Sequence, residues 1–142
     1  MQDYKENSRR AFDRQAPTYD TASFGSHARG LYPILLSQLA QLPRRRVLDV
    51  VLCCDSFHHY PNPRAVLAQF ARVLQPGGIL LLGECTAPAG VRTVTNLLLP
   101  LSREGDVRIY SARELEELLS AAFHGAECRR AGPTALVAWG VK

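Results

Sequence analysis

The sequence predicts an α/β protein with a sheet of about four strands, mostly parallel, closed by a C-terminal antiparallel pair, with helices on both faces. Three observations predict it. Residues 47–54 and 79–84 are near-continuous apolar runs, the pattern of strands buried on both faces of a parallel sheet. Between them Val66, Leu67, Phe70, Val73 and Leu74 recur at helical spacing. Strand, helix and strand then form a βαβ unit, with a right-handed crossover. Finally, residues 126–130 and 134–141 are separated by Ala131-Gly132-Pro133, too short a link for anything but an antiparallel pair.

Each element has its own signal. Residues 2–14 are polar apart from Tyr4, Ala11 and Phe12, which suits a helix lying on the surface. Ala16-Pro17-Thr18-Tyr19-Asp20 breaks it, and residues 20–29 read as loop. Leu31, Ile34, Leu35, Leu36, Leu39 and Leu42 mark a second helix with a wide apolar face, and Pro33 fits only its first turn. The strand at 47–54 leads into a loop over 55–60. Asn62 then caps the next helix, with Pro63 at its first position. Gln75-Pro76-Gly77-Gly78 stops that helix before the second strand. Pro88, Gly90, Pro100 and Gly105 make residues 86–106 a partly helical, mobile connection. Ser111-Ala112-Arg113-Glu114 is a capping box, opening a helix with Leu115, Leu118, Leu119, Ala122 and Phe123 on one face.

At 142 residues the chain is one domain, 1–142, with an N-terminal segment (1–30) laid on a core (31–142). A hydrophobic fraction of 46% excludes a disordered chain. No apolar run approaches the roughly 20 residues of a membrane span, because Leu97-Leu98-Leu99 is cut by Pro100. The polar opening has no secretory character, so a cytoplasmic protein is expected. The net charge of +4 is mild, and its only cluster is Arg44-Arg45-Arg46. With 8% aromatics, no nucleic-acid partner is expected. Cys53, Cys54, Cys85 and Cys128 show no C-x-x-C spacing. They read as free thiols acting as small hydrophobes, and no metal site is expected.

Several segments resemble class I S-adenosylmethionine-dependent methyltransferases of the small-molecule type, nearest to the ubiquinone and menaquinone biosynthesis methyltransferases. Phe12-Asp13-Arg14-Gln15-Ala16-Pro17-Thr18-Tyr19-Asp20 is similar to their opening segment, and Arg46-Val47-Leu48-Asp49-Val50 to their first strand. Asp55-Ser56-Phe57-His58-His59-Tyr60-Pro61-Asn62-Pro63, with Arg72-Val73-Leu74-Gln75-Pro76-Gly77-Gly78, resembles their fourth strand, the helix after it and the turn into the fifth. This last block is the most specific. Val107-Arg108-Ile109-Tyr110-Ser111 with Glu114-Leu115 resembles the lead into their last helix.

One departure is large. In the family the first strand runs into a glycine-rich turn that approaches the cofactor, and an acidic residue after the second strand holds the ribose. Here Val50 is followed directly by Val51 of the fourth-strand motif, and no G-x-G occurs anywhere. The resemblance therefore implies a truncated Rossmann-like methyltransferase sheet without its second and third strands. Parallel neighbours need a crossover of a dozen or more residues. Residues 47–54 should then form one fused strand, with Asp49 in its middle, at a sheet edge.

The implied function is methyl transfer from S-adenosylmethionine to a small-molecule acceptor. Ligands of open α/β sheets sit beyond the carboxyl ends of the strands, where this chain offers Asp55, Ser56, His58, His59, Tyr60, Glu84 and Cys85. The resemblance puts Asp55 and Ser56 near the methionine moiety, Asp49 beside the cofactor loop, and Phe12 and Tyr19 in a lid. His59 is the candidate base. The alternative is a non-catalytic, partner-binding fragment, because an uncovered strand edge invites pairing with a copy of itself or another chain.

Overall fold

The computed structural model describes residues 3–18, 21, 26–41 and 49–142. Tyr19, Asp20 and Arg44-Arg45-Arg46 lie outside the described residues, so the expectations placed on them stay with the sequence.

The elements run in the order α1 (Tyr4–Gln15), α2 (Ser26–Gln41), β1 (Val50–Cys54), α3 (Pro63–Val73), β2 (Ile79–Cys85), α4 (Ala89–Leu98), α5 (Ala112–Ser120), β3 (His124–Arg130) and β4 (Ala135–Val141). The sheet has the order β1-β2-β4-β3. β1 pairs parallel with β2 and lies at an edge. β4 enters between β2 and β3, antiparallel to both. Three of the four strands thus run the same way, and β4 alone is reversed.

Both faces of the sheet are covered. Leu67 of α3 and Leu115 and Leu119 of α5 pack on Leu80, Leu82, Leu136 and Ala138. On the other face Leu31 and Leu35 of α2 meet Leu81, Ala135 and Val137. The adjacent Cys53 and Cys54 divide between these two clusters, as the pleat of a strand requires. All four cysteines are free. Burial pushes the Cys53 thiol up to about 12 and those of Cys54 and Cys128 to about 11, so these three stay protonated and inert. No described helix is long and apolar enough to cross a membrane.

The caps match their sequence signals. Asn62 Oδ1 accepts from Ala65 N–H at 3.0 Å, with Pro63 opening α3. Ser111 and Glu114 close a reciprocal capping box on α5. Burial alone would raise the Glu114 carboxyl, but its bonds to Ser111 and Arg108 hold it down at about 2.

Three expectations need correction. The helix expected from residue 31 begins at Ser26, so residues 26–29 are helical and Pro33 lies inside α2 rather than in its first turn. Pro33 lies on the exposed side of α2. The expected fused strand over 47–54 is not continuous either: the strand starts at Val50, and the buried Asp49 just before it has a 3-10 conformation, while residues 47 and 48 lie outside the described residues. The register supplies the reason. Val50 pairs with Ile79, the first residue of β2, so nothing on β2 is left to pair with an earlier residue. Lastly, the loop over 55–60 contains a 3-10 turn at Phe57–His59.

Candidate active site

β1 and β2 end side by side, and the turn after β1 folds over the end of β2. Asp55 begins that turn in a left-handed conformation (φ 50°), with its N–H donating to the Gly83 carbonyl at 2.7 Å. Such a backbone is uncommon for a residue with a side chain, though Asp tolerates it better than most. Glu84 fastens the rest of the turn. It is fully buried; its Oε1 accepts from the N–H groups of Ser56 (3.0 Å) and Phe57 (2.6 Å), and Oε2 lies 2.7 Å from His58 Nδ1. One carboxylate therefore sets the conformation of three consecutive residues.

His58 is enclosed by acceptors. Besides Glu84, Cys85 Sγ lies 3.6 Å from its Nδ1, and Asp106 Oδ1 lies 3.5 Å from its Nε2. Burial would lower its pKa, but Cys85 and Glu84 outweigh it and lift the imidazole to about 11. His58 is a cation at neutral pH. His59 moves the other way, because burial and the neighbouring His58 charge lower it, against the pull of Asp106 and the Gly105 carbonyl. The two adjacent histidines are thus driven into opposite protonation states.

Asp106 reaches both from the connection after α4. The His58 carbonyl accepts from Val107 N–H (2.9 Å) and Arg108 N–H (3.2 Å), while Asn96 of α4 clamps the backbone of Ile109 from both sides. The segment read as mobile is therefore tied down where it matters, and Asp106 Oδ1 lies 3.2 Å from His59 Nδ1. That Nδ1 is buried without a well-aligned hydrogen bond.

α1 roofs the site. Phe12 packs edge-on against the His59 ring at a centroid distance of 5.2 Å. Ser8 Oγ donates to the Gly105 carbonyl, and Arg14 pairs with Glu104 at 2.8 Å. Gly105 (φ 88°) permits this contact, since a Cβ there would stand 2.5 Å from Ser8 N and 2.7 Å from Ser8 Cα. Gly105→Ala should consequently lift α1 away from the cleft. Limited proteolysis should then cut within residues 4–15 much faster than in the wild type, with α5 and the sheet still protected. An unchanged digestion pattern would show that α1 does not depend on this contact.

Between roof and turn lies a cleft of about 200 Å³. Asp55, Glu104, Asp106, His58, His59 and Cys85 line it, with no Lys or Arg among the described lining residues. Of the residues expected at a site, Phe12, Asp55 and His59 meet here. Ser56 stands beside them, its hydroxyl 3.1 Å from Tyr60 Oη. Asp49 is not brought in; it precedes β1 while Asp55 comes after it, about 20 Å apart at the rise of a strand. Asp106 and the organising role of Glu84 were not identified from sequence. A carboxylate at the end of a buried strand was the one available signal for Glu84. Asp106 carried none, since its partner is nearly 50 residues away in the chain.

A methyltransferase domain family matches residues 8–82, just over half of the chain. Over 46 residues the sequence is 48% identical to the 27-O-demethylrifamycin SV methyltransferase of Amycolatopsis mediterranei, a match covering 30% of this chain and 17% of that protein. Among solved structures, a SAM-dependent methyltransferase of Thermotoga maritima aligns over 66% of this chain and 55% of its own, with a TM-score of 0.52 and 19% identity. Human N-acetylserotonin methyltransferase in complex with SAM aligns over 66% of this chain and 29% of its own, with a TM-score of 0.52 and 19% identity. These structural likenesses show a shared fold. The chain spans less than two thirds of the length of each of these relatives.

Proposed function

The chain belongs to the methyltransferase domain family, class I and S-adenosylmethionine-dependent, and from that premise we propose that its cleft serves methyl transfer to a small organic acceptor, with His59 as general base. The observation that carries this reading is the pairing of His59 with Asp106 at the mouth of a cleft beyond the strand ends. Asp106 Oδ1 lies 3.2 Å from Nδ1 but out of line for a hydrogen bond; a small realignment on substrate binding would keep the proton on Nδ1 and turn Nε2 to accept one. The Amycolatopsis relative bears a name that puts the methyl group on an oxygen. A hydroxyl acceptor of that kind must lose a proton as it is methylated.

The lining fits one end of the donor. S-adenosylmethionine supplies an electrophilic methyl group on a sulfonium, and carries an ammonium on its methionine arm. Asp55 and Asp106 offer negative charge to both cations, and no Lys or Arg is among the described residues that line the cleft. Asp55 and Ser56 would hold the methionine arm, Phe12 would cover it from α1, and His59 would accept the proton released by the acceptor. The adenosine end is different, because the chain has no G-x-G turn and no acidic residue to take the ribose hydroxyls. The donor is thus gripped by one arm, and its affinity should be weak.

Calorimetric titration with S-adenosylmethionine tests the assignment. Saturable binding in the millimolar range, weakened about tenfold (~1.4 kcal/mol) by Asp55→Asn, is the expected result. A titration with no heat at millimolar donor would remove donor binding from this chain.

A further inference from the structure

We propose that Asp55, His58, Glu84 and Cys85 form a site for one divalent transition metal of the zinc type, held across the ends of β1 and β2. One ligand atom from each of these four side chains lies within 4.8 Å of all the others. Their spacing is close to that of a tetrahedral shell. Zinc bonds of about 2.3 Å to sulfur and about 2.0–2.1 Å to nitrogen or oxygen imply ligand-to-ligand edges of about 3.5 Å (S to N) and about 3.4 Å (N to O). The observed separations from His58 Nδ1 are 3.6 Å to Cys85 Sγ, 3.9 Å to Asp55 Oδ1 and 2.7 Å to Glu84 Oε2. Shifts of several tenths of an ångström in the two carboxylates complete the shell.

The donor set and its surroundings point the same way. Thiolate, imidazole and carboxylate together suit zinc and its borderline-soft neighbours better than magnesium or calcium. Glu84 is fully buried, and the side chains of His58 and Asp55 are 8% and 11% exposed, so an ion there would be largely dry. The cluster gathers two carboxylates around one imidazole, and the adjoining cleft has no Lys or Arg among its described lining residues. Once His58 gives up its proton, those carboxylates would balance the charge of a divalent ion.

An outer shell is already built. Glu84 Oε1 is held by the Ser56 and Phe57 N–H groups, which leaves Oε2 to face the metal. His58 Nε2 looks onto Asp106 Oδ1 at 3.5 Å, so ligation through Nδ1 would place its remaining N–H towards a carboxylate, as is usual for metal-bound histidine. Binding would release to solvent the proton shared by His58 Nδ1 and Glu84 Oε2, and Cys85 would bind as its thiolate. Asp55 serves both this site and the proposed methionine arm, so metal and donor should compete for it. The site itself does not depend on the methyl-transfer reading.

Cobalt(II) alone, titrated into the purified full chain, tests the proposal without any donor present. The expected result is saturation at one cobalt per chain, with a thiolate charge-transfer band and tetrahedral d–d bands that zinc abolishes. Cys85→Ser should remove the charge-transfer band and weaken binding at least about tenfold, whereas Cys128→Ser on β3 should leave the spectrum unchanged. Circular dichroism of Cys85→Ser, expected to match the wild type, separates loss of a ligand from loss of the fold. Asp55→Asn, altered at the mouth of the site, is the second variant and should also bind about tenfold more weakly. No stoichiometric band, or a band that survives Cys85→Ser, would overturn the proposal and leave the four side chains as a hydrogen-bonded network only.

Discussion

Glu84→Ala should be the most destabilising single substitution in the turn after β1, costing about 3–5 kcal/mol. The change strands three partners at once. The N–H groups of Ser56 and Phe57 lose their acceptor, and the His58 cation loses its nearest counter-charge in a buried setting. Each abandoned donor carries a desolvation cost of its own. For a domain of this size the thermal midpoint should fall by roughly 10 °C or more. Urea unfolding measures the loss directly, and Glu84→Gln, which keeps an acceptor oxygen, should lose less. A cost below about 1 kcal/mol for Glu84→Ala, no more than an average substitution, would mean that the turn holds its shape without this carboxylate.

His59→Ala should lower the rate of methyl transfer to a hydroxyl acceptor by about 10²–10⁴-fold, the range that a positioned base contributes. At saturating donor and acceptor the loss should appear in kcat, while KM for the donor stays the same, because His59 is assigned to the proton and not to the methionine arm. Asp106→Asn should lower kcat by a smaller factor, since it orients the base without receiving the proton. Release of S-adenosylhomocysteine, measured over time, reports both. If His59→Ala turns over as fast as the wild type, the base is elsewhere or is not needed.

Much of the framework was legible because its signals are local. The Asn62-Pro63 start of α3, the capping box at Ser111 and Glu114, and the two apolar runs that became β1 and β2 each depend on residues within a few positions of one another. The opposite faces taken by Cys53 and Cys54 come from the pleat alone. What escaped depends on partners far apart in the chain. Asp106 meets His59 only because the His58 carbonyl captures the backbone at Val107 and Arg108. The four candidate metal ligands come in two neighbouring pairs from the ends of different strands, and no fixed spacing announces them. The start of β1 escapes for the same reason. Apolar character favours a longer strand, but its length is set by where β2 begins.

The outer side of β1 has a consequence for how the sheet could be completed. Among the described residues β1 hydrogen-bonds only with β2, and Leu52 remains 44% exposed. A parallel strand offered there would find backbone groups already at the right spacing and an apolar side chain waiting for cover. Among the described residues, that outer edge is where β1 presents strand backbone and the apolar Leu52 together, so lengthening the sheet there would bury both at once.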